Sequence, residues 1–367
     1  MTAHAGARYS KTTRAIRPGL TLMKIVDSNG PNRIKVLKLD PRSKMTLDVG
    51  LSNNKLPGRE RTSSMVRRHG AIAGINGNFG YDWGRPIGLF AEDGRLQTSP
   101  TASGGVFALS QDERSAYVGY PDLAIRAQNR TSNTTWTVND WNDQYPARNG
   151  IAAYTKAGGD FVRPPSGACS VRLVPATRMR WSALRAGVGR TYKIDRAVCG
   201  ERVHPLNGVV LAADRGTRGA NQLSAARRGQ SVRLSWSLGW AGVMDAIGGS
   251  PVLMREGQVM VGQCSGYVCQ RHPRTGVGVT PKGHILLVTV DGRRDNSVGM
   301  NLVEFARLFK WLGAQSAMNL DGGGSTTMVV RGRVVNSPSD SSGERSVVSS
   351  LLVLPEADDS EPRPLAP

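Results

Sequence analysis

No apolar run in this sequence approaches the roughly 18–20 residues that carry a helix across a bilayer. The longest, residues 284–290, has the length of a strand, which argues against a membrane-embedded chain with a transmembrane segment. Acid is scarce: 28 Asp and Glu stand against 48 Lys and Arg, a formal charge of +20. Aromatic residues make up only 6%, and no zinc-finger spacing, RNP1 motif or basic helix is present, so the common nucleic-acid modules do not fit. The five histidines are scattered, with no HExxH and no Ser-His-Asp grouping. GxxxxGK[ST] is absent, which removes a P-loop, and no CxxC marks a zinc ribbon. Residues 1–6 hold no apolar segment, so an intact signal peptide is not expected.

What is present is glycine and proline, 44 and 20 in 367 residues, with 39% hydrophobic residues to build a core. Many turns imply short strands, and the expected class is α+β: mixed, strand-rich sheets with hairpins and a few helices. The basic excess predicts a polyanionic partner. Residues 1–18, with Arg8, Lys11, Arg14 and Arg17 and no acid, read as a flexible basic arm; residues 356–367 read as an acidic, Pro-rich tail. No linker divides residues 19–355, which favours one composite catalytic domain. Four cysteines, Cys169, Cys199, Cys264 and Cys269, allow three pairings. Proximity favours Cys169–Cys199 and Cys264–Cys269; free thiols and a metal site with His272 are the alternatives. Disulfides would imply export.

Alternation predicts strands at 20–26 and 33–39, and apolar runs predict others at 71–76, 284–290 and 317–321. Residues 62–70 read as a short helix with a Thr62 cap and a Gly70 stop. Hairpins are expected at Asp93-Gly94, Glu256-Gly257 and Arg331-Gly332. One amphipathic helix is clear: Asn301 caps it, Glu304 completes a capping box, Leu302, Phe305, Phe309 and Leu312 line one face, and Gly313 ends it. Strands before and after it suggest a crossover unit, with the chemistry outside the strand ends. Residues 121–235 carry the weakest signal, with strand-like stretches at 135–139 and 150–155 and a helical turn at 182–187.

Polar, glycine-rich segments follow the apolar strands at 74–80, 290–293 and 319–327, and a fourth cluster occupies 336–345. In Asp321-Gly-Gly-Gly-Ser325, three glycines bare the main-chain amides, so Gly322, Gly323 and Gly324 with Ser325 and Thr326 are expected to form an anion nest beside the Asp321 carboxylate. Arg274 and Arg293 offer rigid forks that match phosphate oxygens. Asp291, Asp321, Asp340 and Glu344 supply carboxylates of the kind glycoside hydrolysis uses. Asp93, by contrast, reads as a plain hairpin residue.

Six segments in order then resemble the phosphodiester glycosidase family: Ile75-Asn-Gly-Asn-Phe79, Gly248-Gly-Ser-Pro-Val-Leu253, His272-Pro-Arg-Thr275, Val290-Asp-Gly-Arg293, Asn319-Leu-Asp-Gly-Gly-Gly-Ser325, and Asn336-Ser-Pro-Ser-Asp340 with Gly343-Glu-Arg345. The resemblance spans roughly residues 20–355. It departs at Asn78 and Gly80, where the family has Gly and a second aromatic, and so touches a loop tied to sugar specificity. The resemblance implies hydrolysis of the anomeric C–O bond of sugar-1-phosphodiesters. Arg274 and Arg293, with Arg345, would bind phosphate. Asp321 would be the first-choice acid/base, Asp291 and Glu344 the second. Asn76 and Asn319 would contact sugar hydroxyls or hold loops, and Asp340 would belong to the substrate-binding set. No cofactor is required on this reading, with a structural calcium at one of the Asp turns left open. The expected partner is a phosphate-bearing glycan such as a teichoic-acid-like polymer, not nucleic acid. The expected location is secreted or cell-envelope, with a signal peptide already removed. The alternative is a non-catalytic binder of anionic envelope polymers.

Overall fold

The computed structural model describes residues 8–100, 104–112, 114–144, 147–159, 162–176, 186–262, 266 and 270–355. Four main sheets and three short helices make up these residues, in keeping with the strand-rich α+β class. The first sheet has eight antiparallel strands in the order Tyr9–Arg17, Leu20–Asp27, Asn32–Leu39, Ile285–Val290, Arg274–Val279, Ser316–Asn319, Val252–Arg255, Gln258–Val259. Helices are numbered α1 (Thr62–Arg68), α2 (Arg218–Ser224) and α3 (Leu302–Trp311).

The basic arm is corrected by its first strand. Tyr9–Arg17 pairs along Leu20–Asp27, and Arg8 holds the buried Asp27 carboxylate with bonds of 3.1 and 3.2 Å. The segment looks disordered in sequence because it is an edge strand with only Ile16 buried. Charged side chains on such an edge discourage pairing with another chain. The acidic tail, residues 356–367, lies outside the described residues.

The crossover is present in split form. Ile285–Val290 and Ser316–Asn319 both pair antiparallel to Arg274–Val279, which lies between them, so they run parallel to each other. The α3 helix connects them, with the capping box as read: Asn301 Oδ1 accepts from Glu304 N–H at 2.9 Å and Glu304 Oε2 from Asn301 N–H at 3.0 Å. Its buried Phe305, Ala306, Leu308 and Phe309 cover one face of the sheet, over Ile34, Val36, Leu286 and Val288. The opposite face, with Leu22, Leu37, Val277 and Leu287, packs on the five-stranded sheet Arg333–Val334, Met328–Val330, Ala73–Asn76, Ser349–Pro355, Met45–Leu51. All three hairpins turn as expected, each with positive φ at both central residues.

Another five-stranded sheet joins this core to a lobe. In Gly105–Ser110 and Val243–Gly249, Phe107, Leu109 and Ile247 enter the first core, while Val106, Ala108 and Ala246 face the second. That is the period-2 alternation of strands buried on both faces. The second core belongs to an eight-stranded sheet built from Ala124–Asn129 through Ser231–Ser237, including Thr134–Val138 and Ala152–Thr155. Cys169–Cys199 is a disulfide joining neighbouring strands there. Cys264 and Cys269 lie outside the described residues, as does most of the helical turn expected at 182–187. No helix among the described residues is long and apolar enough to cross a membrane.

Candidate active site

Register brings the polar loops together. Arg274 pairs with Val290 and Gly276 with Asn319, so the turns at 272–274, 291–293 and 320–325 leave the same end of the first sheet. Asn76 closes the adjoining strand, and Asp321 N–H donates to the Gly77 carbonyl at 3.1 Å.

The three glycines act as spacers. A Cβ on Gly322 would sit 2.8 Å from the Pro273 carbonyl oxygen, and one on Gly323 3.1 Å from Arg293 Nη2. On Gly324 it would lie 2.1 Å from Asp340 Oδ1 and 2.2 Å from Arg345 Nη2. Gly323 also takes φ 59°, a region side chains disfavour. Three loops therefore close on one turn because that turn has no side chains. Most of the amides expected to form an anion nest have partners within the protein. Gly323 N–H donates to Pro273 O, Ser325 N–H to Gly322 O and Thr326 N–H to Gly323 O, while Gly322 N–H serves the Asp321 carboxylate. These four amides are occupied by the short 3₁₀ turn and its neighbours, so the guanidinium groups nearby are the clearer anion donors.

Arg293 and Arg345 stand at this turn, exposed to solvent. Arg293 holds a left-handed φ of 62°, strain of a kind that accumulates at functional sites. Its Nη1 lies 3.4 Å from Ser339 Oγ, and no carboxylate among the described residues pairs with it. Arg345 forks onto Asp340 at 2.7 and 3.0 Å. Arg274 is different. It is 5% exposed, with Nε on the Met300 carbonyl at 2.8 Å and Nη2 on the Gln270 carbonyl at 2.9 Å. Its guanidinium ties loops together beneath the turn, so its role there is in positioning as much as in display.

The acids separate in the same way. Asp321 keeps a small opening to solvent but is densely surrounded by protein, and desolvation pushes its carboxyl up to about 6. The Ser325 hydroxyl, the Arg345 and Arg59 charges and the Gly322 amide pull the other way. Asp291 is 3% exposed; burial raises its carboxyl, and its Oδ1 accepts from Ser337 N–H at 2.9 Å and Asn336 Nδ2 at 3.3 Å. It fastens one loop to another. Glu344 caps α1: Ser63 N–H and Oγ donate to its two oxygens at 2.7 and 2.6 Å. This also revises the helix start, since Thr62 is its first residue and the capping position falls to Arg61, whose side chain makes no cap bond.

Asn76 is wholly buried and fully engaged. It donates to the Asp321 carbonyl at 2.7 Å and accepts from Thr275 Oγ1 at 2.9 Å and Thr327 N–H at 3.0 Å. These bonds hold the loops together. Asn78 is equally buried, bonded to Ser349 and the Leu89 carbonyl, so the departure at this position fills the interior. Asn319 donates to Ser250 O at 2.7 Å. Its Oδ1, with the Thr326 and Thr327 hydroxyl oxygens, is buried without a hydrogen-bond partner among the described residues.

Arg59 escaped the sequence reading. It bonds the carbonyls of Tyr81, Asp82 and Ser346 at 3.0–3.2 Å and bears electrostatically on Asp321. Tyr81 and Trp83, whose rings stack at 5.6 Å, lie on the loop it gathers. Nothing in an Arg-rich sequence distinguishes one such arginine. Among the described residues no three His, Cys, Asp or Glu side chains form a metal-binding group.

The chain is similar to known proteins over part or most of its length. The phosphodiester glycosidase family model matches residues 183–354. The mouse N-acetylglucosamine-1-phosphodiester alpha-N-acetylglucosaminidase is 33% identical over 107 residues, 27% of this chain and 20% of that protein. The chain thus spans only a fifth of that relative's length. A hypothetical protein from Synechocystis shares the fold, with TM-score 0.76 at 22% identity over 95% of this chain and 64% of that one. A Burkholderia pseudomallei K96243 protein described as exported aligns with TM-score 0.63 at 27% identity, over 89% of this chain and 74% of its own.

Proposed function

From the match of residues 183–354 to the phosphodiester glycosidase family model, we propose that this chain hydrolyses the anomeric C–O bond of sugar-1-phosphodiesters. One observation carries the reading: Arg293 and Arg345 close on the same bare glycine turn that holds Asp321, an acid pushed up to about 6. The two guanidinium groups take the phosphate, Arg293 first because it has no carboxylate partner among the described residues. Asp321 accepts a proton from the water that attacks the anomeric carbon. The C–O bond to phosphate breaks, its electron pair leaves with the phosphate oxygen, and the products are free sugar and a phosphomonoester. Such a leaving group is weakly basic, so stabilising its charge matters more than protonating it. Asp291, Glu344, Asn76 and Arg274 position the loops. No cofactor enters this scheme, and a calcium ion at an Asp turn would be structural.

The substrate we favour is a phosphate-bearing glycan of the cell envelope or surroundings, such as a teichoic-acid-like polymer. The charge of +20 supports a polyanion, and the Cys169–Cys199 disulfide supports an oxidising, exported location. Product analysis on a panel of sugar-1-phosphodiesters tests the activity, reading reducing sugar and phosphate separately. Equal release of free sugar and phosphomonoester is expected. Release of the sugar 1-phosphate instead would place the attack at phosphorus and overturn the mechanism.

A further inference from the structure

The basic charge is not spread evenly. Residues 163–233 carry 14 Lys and Arg against 3 Asp and Glu, all but one of the 14 being Arg. In the lobe formed by these residues an open cavity of about 610 Å³ lies between α2 and the strands joined by the Cys169–Cys199 disulfide. Arg172, Arg196, Arg227 and Arg228 line it, with Asp195 as the one acid in its wall. Arg172 pairs with Asp195 through Nε at 2.8 Å, and Arg196 pairs with Glu201, so two of the four charges are answered internally. The Arg227 guanidinium donates only to the carbonyls of Ser224 and Ala226, at 2.8 and 2.9 Å, which hold its position without neutralising it. Arg228 has no hydrogen bond or ion pair among the described residues. Ser170, 1% exposed, forms part of the wall, and its hydroxyl has no partner there either. A guanidinium held by its own backbone beside an unpaired one is a fork preset for an oxyanion. The site has no part in the Asp321 turn, because none of its lining residues belongs to that turn's loops.

We infer that this cavity is a second anion site that binds phosphate groups, through Arg227 and Arg228, and anchors a phosphate-bearing polymer at a distance from the hydrolytic turn. The inference does not require the hydrolytic reading to hold, since binding is read without turnover.

The test uses the full chain and calorimetric titration at low salt with two probes, inorganic phosphate and a short poly(glycerol phosphate). R227E/R228E is compared with K11E/R14E, which changes net charge equally on the far edge strand. Affinity for both probes is expected to fall at least tenfold in R227E/R228E and less than twofold in K11E/R14E. Turnover of a small soluble sugar-1-phosphodiester should be unchanged in both. A fall confined to poly(glycerol phosphate) supports a site that recognises phosphate within a chain; a fall for both probes supports recognition of the phosphate group itself. Equal weakening in the two double variants, or none in R227E/R228E, overturns the site, because net charge would then explain the binding. If the double variant fails to fold, R228E alone carries the same expectation at about threefold, since its guanidinium bonds nothing in the fold.

Discussion

Among the carboxyls raised by burial, those at two places in the molecule are opposites. At the glycine turn, Asp321 is ringed by cationic and hydrogen-bonding groups, Ser325, Arg345, Gly322 and Arg59, which hold its rise to about 6. Behind the Asp93-Gly94 hairpin, Glu92 and Asp245 are buried together. Neighbouring acids add to burial there: Asp48 and Asp93 raise Glu92, and Asp48, Asp93 and Glu92 raise Asp245. Glu92 reaches about 8 and Asp245 goes well above the usual carboxylate range, although Asp93 N–H donates to Asp245 Oδ1 at 2.8 Å. Burial reinforced by neighbouring acids, and only partly opposed at Glu92 by Arg68 and Arg95, therefore makes an acid that stays neutral. Burial opposed by facing cations makes an acid that exchanges its proton near neutral pH, as general acid–base chemistry requires. A shifted carboxyl marks a reactive site only when its neighbours pull against the shift.

The largest test of this contrast is D321N. We expect kcat on a sugar-1-phosphodiester to fall by roughly 10²–10⁴-fold, with a Tm equal to or above that of the parent, because a desolvated charge is removed. D245N should do the reverse, leaving kcat near the parent value. Turnover within twofold of the parent in D321N would erase the distinction. Next is R293A, which removes a charge-assisted contact and should lower kcat/KM by about 10–100-fold with little effect on Tm, since this exposed side chain bonds only weakly to Ser339. R345M sharpens the comparison further. It takes one cation from Asp321 and frees the Asp340 carboxylate, so both changes favour the protonated acid. The acid limb of the kcat profile, expected near pH 6 in the parent, should move up by about 0.5–1 unit. A limb that stays in place would assign it to another group.

The legible parts of the fold were those in which a local rule decides the conformation. The α3 capping box, the three Xaa-Gly hairpins and the buried strands at 33–39 and 284–290 are fixed by neighbours within a few residues. The edge strand Tyr9–Arg17 was misread because its ladder bonds come from a neighbour while its side chains face water, so its composition matches that of a free arm. At the candidate site, the sequence showed which loops converge but not which atoms face one another. The three glycines permit close approach of neighbouring loops as much as they bare amides, and that distinction depends on Pro273, Arg293 and Arg345 arriving from elsewhere. Glu344 capping a helix 281 residues away, and Arg59 gathering the loops at 81–82 and 346, are tertiary facts with no local signature. The fully buried Arg85, with bonds to the carbonyls of Pro86, Ser99 and Asn142, hid in the same way among 48 basic residues.

The smallest effect expected, and the cleanest measure of the neutral acids, is E92Q. A carboxyl raised from 4.5 to about 8 in the folded state is protonated in both states below pH 4.5, so folding loses nothing there. Between those values the unfolded chain ionises while the folded chain holds its proton, and stability falls as pH rises until the folded group also ionises near 8. The amide of the variant has no such proton to hold. The variant should match the parent in urea unfolding at pH 4 and exceed it at pH 9. Arg68 and Arg95 offset part of the penalty and Glu92 retains some solvent, which limits the gain to the order of 1 kcal/mol. A gain of the same size at both pH values would mean that packing, not the proton, separates the amide from the acid at this position. The hairpin acids would then no longer serve as the neutral counterpart to Asp321.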